Sequence, residues 1–178
     1  MNKQNRMREI SIEKVTLNIG VGGPGDKMEK AMKLLTKITN KKPIQTKTMK
    51  RIPTWGLRPN LAIGCKVTVR TKDKEELLSR LLKAVENKLD ESKFDNSGNF
   101  SFGIREYIDI PGVGYDVEIG IIGLEVAVTL TRPGFSIKRR KVKQSKVPLR
   151  HKITKEEAMG FIKNKFDVNI LLEGEQTA

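Results

Sequence analysis

The chain has 178 residues, with 35 Lys or Arg against 21 Asp or Glu, one Cys, one His and a formal net charge of +14. A single Cys excludes an internal disulfide, and one Cys with one His argues against a zinc site built from them. No stretch approaches the ~18 apolar residues of a membrane span, and the start, MNKQNRMREI, lacks the apolar stretch of a signal peptide. The expectation is a soluble intracellular protein with one domain over 1–170 and a disordered tail over 171–178.

Along the chain, residues 14–21 alternate. Val15, Leu17, Ile19 and Val21 take one face, and Lys14, Thr16, Asn18 and Gly20 the other, which predicts a half-buried strand. A Gly-rich turn follows. Asp26 is then placed to cap a helix to about Asn40, with Glu29 three residues on and an apolar stripe of Met28, Ala31, Met32, Leu35 and Ile38. Pro43 ends it, and IQTKT reads as a short polar strand. Two Pro and a Gly make 50–61 a loop. Residues 62–70 alternate again, with Ile63, Cys65, Val67 and Val69 inward. Asp73 is expected to cap a second helix whose apolar face runs from Leu77 to Leu89. The segment 94–103 reads as turns and REYIDI as a strand. LEVAVTLTR, 124–132, alternates clearly, and 133–153 is a long basic loop. Thr154 opens a capping box with Glu157, leading a third helix that carries Ala158, Met159, Ile162 and Phe166.

The order β-α-β-β-α-β-β-α predicts an α+β fold: a largely antiparallel sheet with helices on one face. The other sheet face then reads Thr16, Asn18; Lys66, Thr68, Arg70; Ala127, Thr129, Thr131. The short strand adds Gln45 and Lys47 or Thr46 and Thr48, depending on register. Short hydroxyls, amides and cations, with Glu125 the one acid, suit donation to phosphate and sugar oxygens. Few aromatics line these strands, so backbone and shape recognition of folded RNA is expected rather than base stacking.

Charge supports this face. From Lys30 to Lys72 there are 12 Lys or Arg and no acid, and from Val126 to Lys155 there are 10 and no acid. The remaining residues hold 13 basic and 21 acidic side chains, so a mildly acidic body carries two basic stretches. Such sorting points to a polyanion, because carboxylates beside the lysines would oppose phosphate binding and counterion release. The candidate RNA contacts are Thr16, Asn18, Lys47, Lys66, Thr68, Arg70, and Lys138, Arg139 and Arg140 of the basic loop.

Catalysis has less support. Cys65 belongs to an inward-facing row. His151 sits among cations in PLRHK and is expected to face RNA. Glu75–Glu76 and Glu156–Glu157 lie at helix starts, where they favour the helix dipole. Gly20 to Gly25 matches G-x-G-x-x-G between a strand and a helix, the one feature that favours a nucleotide-dependent enzyme. No acid follows at the spacing that would hold a ribose, and Asp26 at the helix start would repel a pyrophosphate. The expectation there is a tight turn that lets a backbone approach closely. No cofactor and no metal is expected.

Taken together, TLNIGVG, IGCKVTVR, FDNSGNFSFGIREYIDIPGV and GLEVAVTLT, in this order from about Glu13 to Phe166, resemble the universal large-subunit ribosomal protein family that binds 5S rRNA, the fifth in large-subunit numbering. The added stretch KRRKVKQSKVPLRHK is similar to that of archaeal and eukaryotic-type members. The resemblance implies a non-enzymatic, cytoplasmic ribosomal protein whose α+β fold has a curved sheet. It implies that Asn18 and Thr68 contact 5S rRNA, and that the protein seats this RNA on 23S rRNA in the central protuberance. It also implies that the loop Thr54, Trp55, Gly56, Leu57, Arg58, Pro59 and Asn60, before IGCK, approaches the P-site tRNA. Further partners implied are neighbouring proteins of the protuberance and a protein of the small-subunit head. Lys41 stands where some members have an RNA-contacting Gln.

Overall fold

The computed structural model describes residues 5–171; of the predicted 171–178 tail, all but Leu171 lies outside them. The elements are β1 (Ser11–Gly20), α1 (Asp26–Thr39), β2 (Ile44–Lys47), β3 (Ala62–Val69), α2 (Lys74–Lys83), β4 (Lys88–Asp90), β5 (Phe100–Ile104), β6 (Leu124–Thr131), α3 (Lys155–Phe166) and β7 (Asn169–Leu171). Five strands form one sheet in the order β2-β3-β1-β6-β5, every neighbour antiparallel, while β4 and β7 pair in parallel as a separate ribbon. The architecture is the predicted α+β with a mostly antiparallel sheet.

The alternation read from the sequence sets the core. Val15, Leu17 and Ile19 of β1, Cys65, Val67 and Val69 of β3, and Val126, Val128 and Leu130 of β6 are all buried on one sheet face. Helices α1 and α2 lie against this face, and Ala158 and Ile162 of α3 join the same buried cluster. On α1 the buried stripe is Met28, Ala31, Leu34, Leu35 and Ile38. Leu34, absent from the predicted stripe, is fully buried, and Met32 only packs partly against the core.

Several local expectations are corrected. Asp26 is the first helical residue of α1, not its cap. Gly25 holds the cap position at φ 130°, and its carbonyl accepts from Met28 N at 2.8 Å. The helix ends at Asn40, whose left-handed backbone (φ 52°) turns the chain before Pro43 is reached. Asp73 stands at the start of α2, but its carboxylate accepts from the Thr71 hydroxyl at 2.8 Å and caps nothing. Helix α2 stops at Lys83. Glu86 and Asn87 at positive φ reverse the chain, so Leu89 is buried from β4 and not from a helix.

The strand predicted at REYIDI is a 3-10 turn over Tyr107–Asp109, and the strand of this region is β5, inside the segment read as turns. Polar Asp95, Asn96 and Ser97 masked it. Phe100, Phe102 and Ile104 alternate inward opposite Val128, Val126 and Leu124, and Phe94, Phe100 and Phe102 stack in succession. The Gly20–Gly25 turn is tight for a reason other than close approach. Val21 N and Gly22 N both donate to the Ile63 carbonyl, Gly22 and Gly25 have positive φ, and a Cβ there would meet open space.

Candidate nucleic-acid interface

Strand register assembles the helix-free face in rows. Lys66, Asn18 and Glu125 are cross-strand neighbours in one row across β3, β1 and β6, and Thr68, Thr16 and Ala127 form the next. A bulge in β1 between Ile12 and Lys14 turns Ile12 into the core, while Lys14, opposite Thr129, stays on the polar face. Lys14 was legible in the β1 alternation and belongs with the candidates. The edge strand resolves the open register. Gln45 lies opposite Cys65 and reaches the Met32 sulfur of α1, so it faces the helices. Thr46 lies opposite Gly64, and a register shift after it brings Lys47 opposite Ala62. Thr46 therefore faces the polar side, Lys47 is exposed at the sheet edge where the extra residue of the shift belongs to β3, and Thr48 is buried with its hydroxyl donating to the Lys50 carbonyl at 2.8 Å. Arg70 is exposed one residue beyond β3.

Several side chains on this face bond to each other. The Thr16 and Thr68 hydroxyls stand 3.5 Å apart, and Asn18 Nδ2 donates to Glu125 at 3.1 Å. Beside them, a cleft of about 600 Å³ is bounded by Asn18, Glu125, Gly103 and Arg105.

The loop between β2 and β3 carries the second group of candidates. It is a closed extension of the hairpin. Thr48 N donates to Leu61 O and Asn60 N to Thr48 O at its base, and Ile52 and Leu57 exchange both backbone hydrogen bonds at 3.0 Å near its tip. Pro53, Thr54 and Trp55 form a 3-10 turn that Gly56 closes at φ 65°. The segment read as a loop is thus held by hydrogen bonds of its own backbone. Leu57 is buried, whereas Thr54, Gly56, Arg58, Pro59 and Asn60 are exposed, and Trp55 is 74% exposed. An exposed Trp at the end of a hydrogen-bonded hairpin is an unpartnered contact element.

The basic loop 133–153 contains two 3-10 turns, Phe135–Lys138 and Leu149–His151. Lys138 lies over the Phe135 ring at 5.0 Å, and Arg140 Nε donates to the Lys143 carbonyl. Arg139 pairs with Glu13 at 2.5 Å, so part of its charge is neutralised within the chain. His151 does not serve as a free RNA-facing side chain. Its Nε2 bonds the Pro133 carbonyl at 2.9 Å, and its ring meets Phe135 edge-on.

This loop is anchored by a residue that sequence reasoning passed over. Arg132, at the end of β6, is buried. It donates to the carbonyls of Arg8, His151 and Lys152 and to Glu157 at 2.8 Å. Burial pushes the Glu157 carboxyl up, but the Thr154 N–H and the Arg132 guanidinium outweigh it and hold the group below its ordinary value. Thr154 and Glu157 also complete the predicted capping box of α3.

Charge sorting along the chain differs from charge sorting in space. Lys33 and Lys37 of α1 meet Glu118 and Asp116 at 3.4 and 3.2 Å, acids supplied by the segment between β5 and β6. The Lys37 hydrogen bond holds the Asp116 carboxyl below the usual range. Two of the three helix lysines of the first acid-free window, Lys33 and Lys37, are thus matched from outside it, while Lys47, Lys50, Arg51, Arg58 and Lys66, on β2, β3 and their loop, meet no acid among the described residues. Cys65 is buried, which pushes its thiol up to about 11, far from the thiolate that nucleophilic chemistry needs. Among the described residues no group of His, Cys, Asp and Glu could hold a metal ion.

Comparison with known proteins identifies the family. Residues 5–58 match the family described as ribosomal protein L5, and residues 62–161 match the model of that family's C-terminus. The large ribosomal subunit protein uL5 of Sulfolobus acidocaldarius is 48% identical over 169 residues, covering 95% of each chain. That of Nanoarchaeum equitans is 48% identical, covering 94% of this chain and 99% of its own. That of Methanosphaera stadtmanae is 44% identical, over 93% and 99%. These matches set aside the enzyme reading of the Gly20–Gly25 turn, and this chain belongs to the ribosomal protein L5 family, of archaeal type, as a structural component of the large ribosomal subunit.

Proposed function

We propose that this chain binds 5S rRNA through the helix-free face of its sheet and helps attach that RNA to 23S rRNA in the central protuberance of the cytoplasmic ribosome. The observation that carries the reading is the pair of rows Lys66–Asn18 and Thr68–Thr16. They form a polar surface, with Lys66 at its β3 side and an aliphatic core directly behind it. Short side chains let a sugar–phosphate backbone approach. Lys47, Lys66 and Arg70 meet phosphates, and hydroxyls and amides meet 2′-hydroxyls and base edges. Lys138, Arg139 and Arg140 extend the contact from the basic loop. Residues 1–170 act as one RNA-binding unit in this reading. The hairpin loop Thr54–Asn60 contacts the P-site tRNA, with Arg58 on its phosphates and Trp55 on a base or sugar. Neighbouring ribosomal proteins, including one of the small-subunit head, complete the surroundings.

The test is a 5S rRNA binding assay with Asn18→Ala and Thr68→Val. Each removes one hydrogen-bonding group from a partly exposed position, so each should weaken binding by about tenfold while the thermal midpoint stays near that of the parent. Parental affinity in both variants would mean that the RNA sits elsewhere.

A further inference from the structure

Glu125 is out of place on a surface read as RNA-facing. It is the one acid in the rows of the polar face, exposed and directly across from Asn18. On charge alone it is a defect, because a carboxylate near phosphates opposes binding. Its hydrogen bond suggests a use. An ionised carboxylate only accepts, so the atom of Asn18 that faces it at 3.1 Å must be the amide nitrogen. That choice leaves Asn18 Oδ1 as the free end. Without Glu125 the terminal amide torsion of Asn18 is broad and nearly two-fold, and either end could point outward.

Resting on the RNA-binding reading above, we infer that Glu125 is a positioning residue that sets specificity: by holding Asn18 Nδ2 it presents Asn18 Oδ1 as an acceptor for a hydrogen-bond donor of the RNA. The donor is a 2′-hydroxyl or a base N–H. A phosphate oxygen, which only accepts, is refused. Lys66, on the other side of Asn18 in the same row, takes the phosphate. The row therefore alternates a cation with an acceptor, a pattern that generic backbone binding does not need. On the far side of Glu125, Gly103 of β5 adds no side chain, and a Cβ there would meet open space. The RNA strand has room to reach the pair from that side.

The expected sign is opposite to that from charge alone, which makes the role of Glu125 testable. Affinities for 5S rRNA and for an unrelated RNA duplex are measured for the parent, Glu125→Ala, Glu125→Gln, Asn18→Ala and the Asn18→Ala/Glu125→Ala double variant. Glu125→Ala should lose about tenfold for 5S rRNA, despite shedding a negative charge, and lose nothing for the duplex. Glu125→Gln keeps an acceptor for Nδ2 and should recover the 5S affinity. The double variant should bind no worse than Asn18→Ala, because the two side chains act as one unit. Scanning 2′-O-methyl substitution along the protected RNA assigns the donor to a sugar hydroxyl where one substitution reproduces the Asn18→Ala loss, and to a base N–H where none does. If Asn18→Ala weakens 5S binding but Glu125→Ala strengthens it, the inference fails and the sheet-face reading stands. If Asn18→Ala has no effect, both fail. A loss in Glu125→Gln equal to that in Glu125→Ala also overturns it, since charge and not the hydrogen bond would then be what mattered.

Discussion

At the scale of single residues, Arg132, one of the cations of the second acid-free window, is committed to structure. Its guanidinium joins the N-terminal segment, the end of the basic loop and the first turn of α3 through Arg8, His151, Lys152 and Glu157. A buried cation is tolerated only when its donors are matched, and removing one partner leaves the other exposed to the cost of desolvation. Arg132→Met should therefore lower unfolding stability by about 3 kcal/mol in urea titration. Glu157 supplies a pH signature. Its carboxyl is held below its ordinary value in the folded chain, so its contribution is present above the ordinary value and is lost as pH falls through the depressed one. The urea midpoints of the parent and Glu157→Gln should differ at neutral pH and converge below the usual carboxylate range.

At the scale of elements, three helix starts carried similar local signals and only one folded as expected. Thr154 with Glu157 forms both bonds of the capping box. Asp26 and Asp73 do not cap, because a glycine at positive φ leads into α1 and a threonine hydroxyl engages Asp73 ahead of α2. A carboxylate near a helix start has several partners within reach, and its choice depends on the preceding backbone. The β2–β3 hairpin loop makes the same point for function. Its cross-bonded base and tip hold Arg58 away from the sheet rows, which implies separate duties. Arg58→Ala should leave 5S rRNA binding unchanged and reduce P-site tRNA retention in assembled ribosomes, measured by filter binding. Lost 5S affinity in this variant would contradict that division.

At the scale of the whole molecule, the net charge of +14 is less available than it looks. Lys33, Lys37 and Arg139 are each met by an acid from a distant segment. Among the cations of β2, β3 and the two basic loops, Arg139 alone pairs with an acid of the described residues. If about six phosphates are neutralised, the log–log salt dependence of 5S rRNA binding should have a slope of about −4 to −5. A flat response between low and high salt would exclude electrostatic docking as the mechanism.

Much of this was legible before any coordinates. The period-two pattern of 15–19, 65–69 and 124–130 placed the buried rows and, by elimination, the polar face with Thr16, Asn18, Lys66 and Thr68. Strand β5 was not legible, because its two outward positions are Ser101 and Gly103 and it follows a polar turn. Only its pairing with β6 identifies it. The bulge that turns Ile12 into the core and the register shift that ends the β2–β3 pairing were not legible either, since a bulge is a property of two strands together.

The sequence by itself determined which side chains of 15–19, 65–69 and 124–130 face the core and which face outward, because burial of apolar groups follows local periodicity. It also determined the basic character of the chain and, through its motifs, the family. The tertiary structure alone decided which charges remain free, which row each polar side chain joins, and that Glu125 meets Asn18. Those are relations between residues as many as 126 apart, such as Glu13 and Arg139, and hydrogen bonds and ion pairs act only over the few ångströms that folding creates.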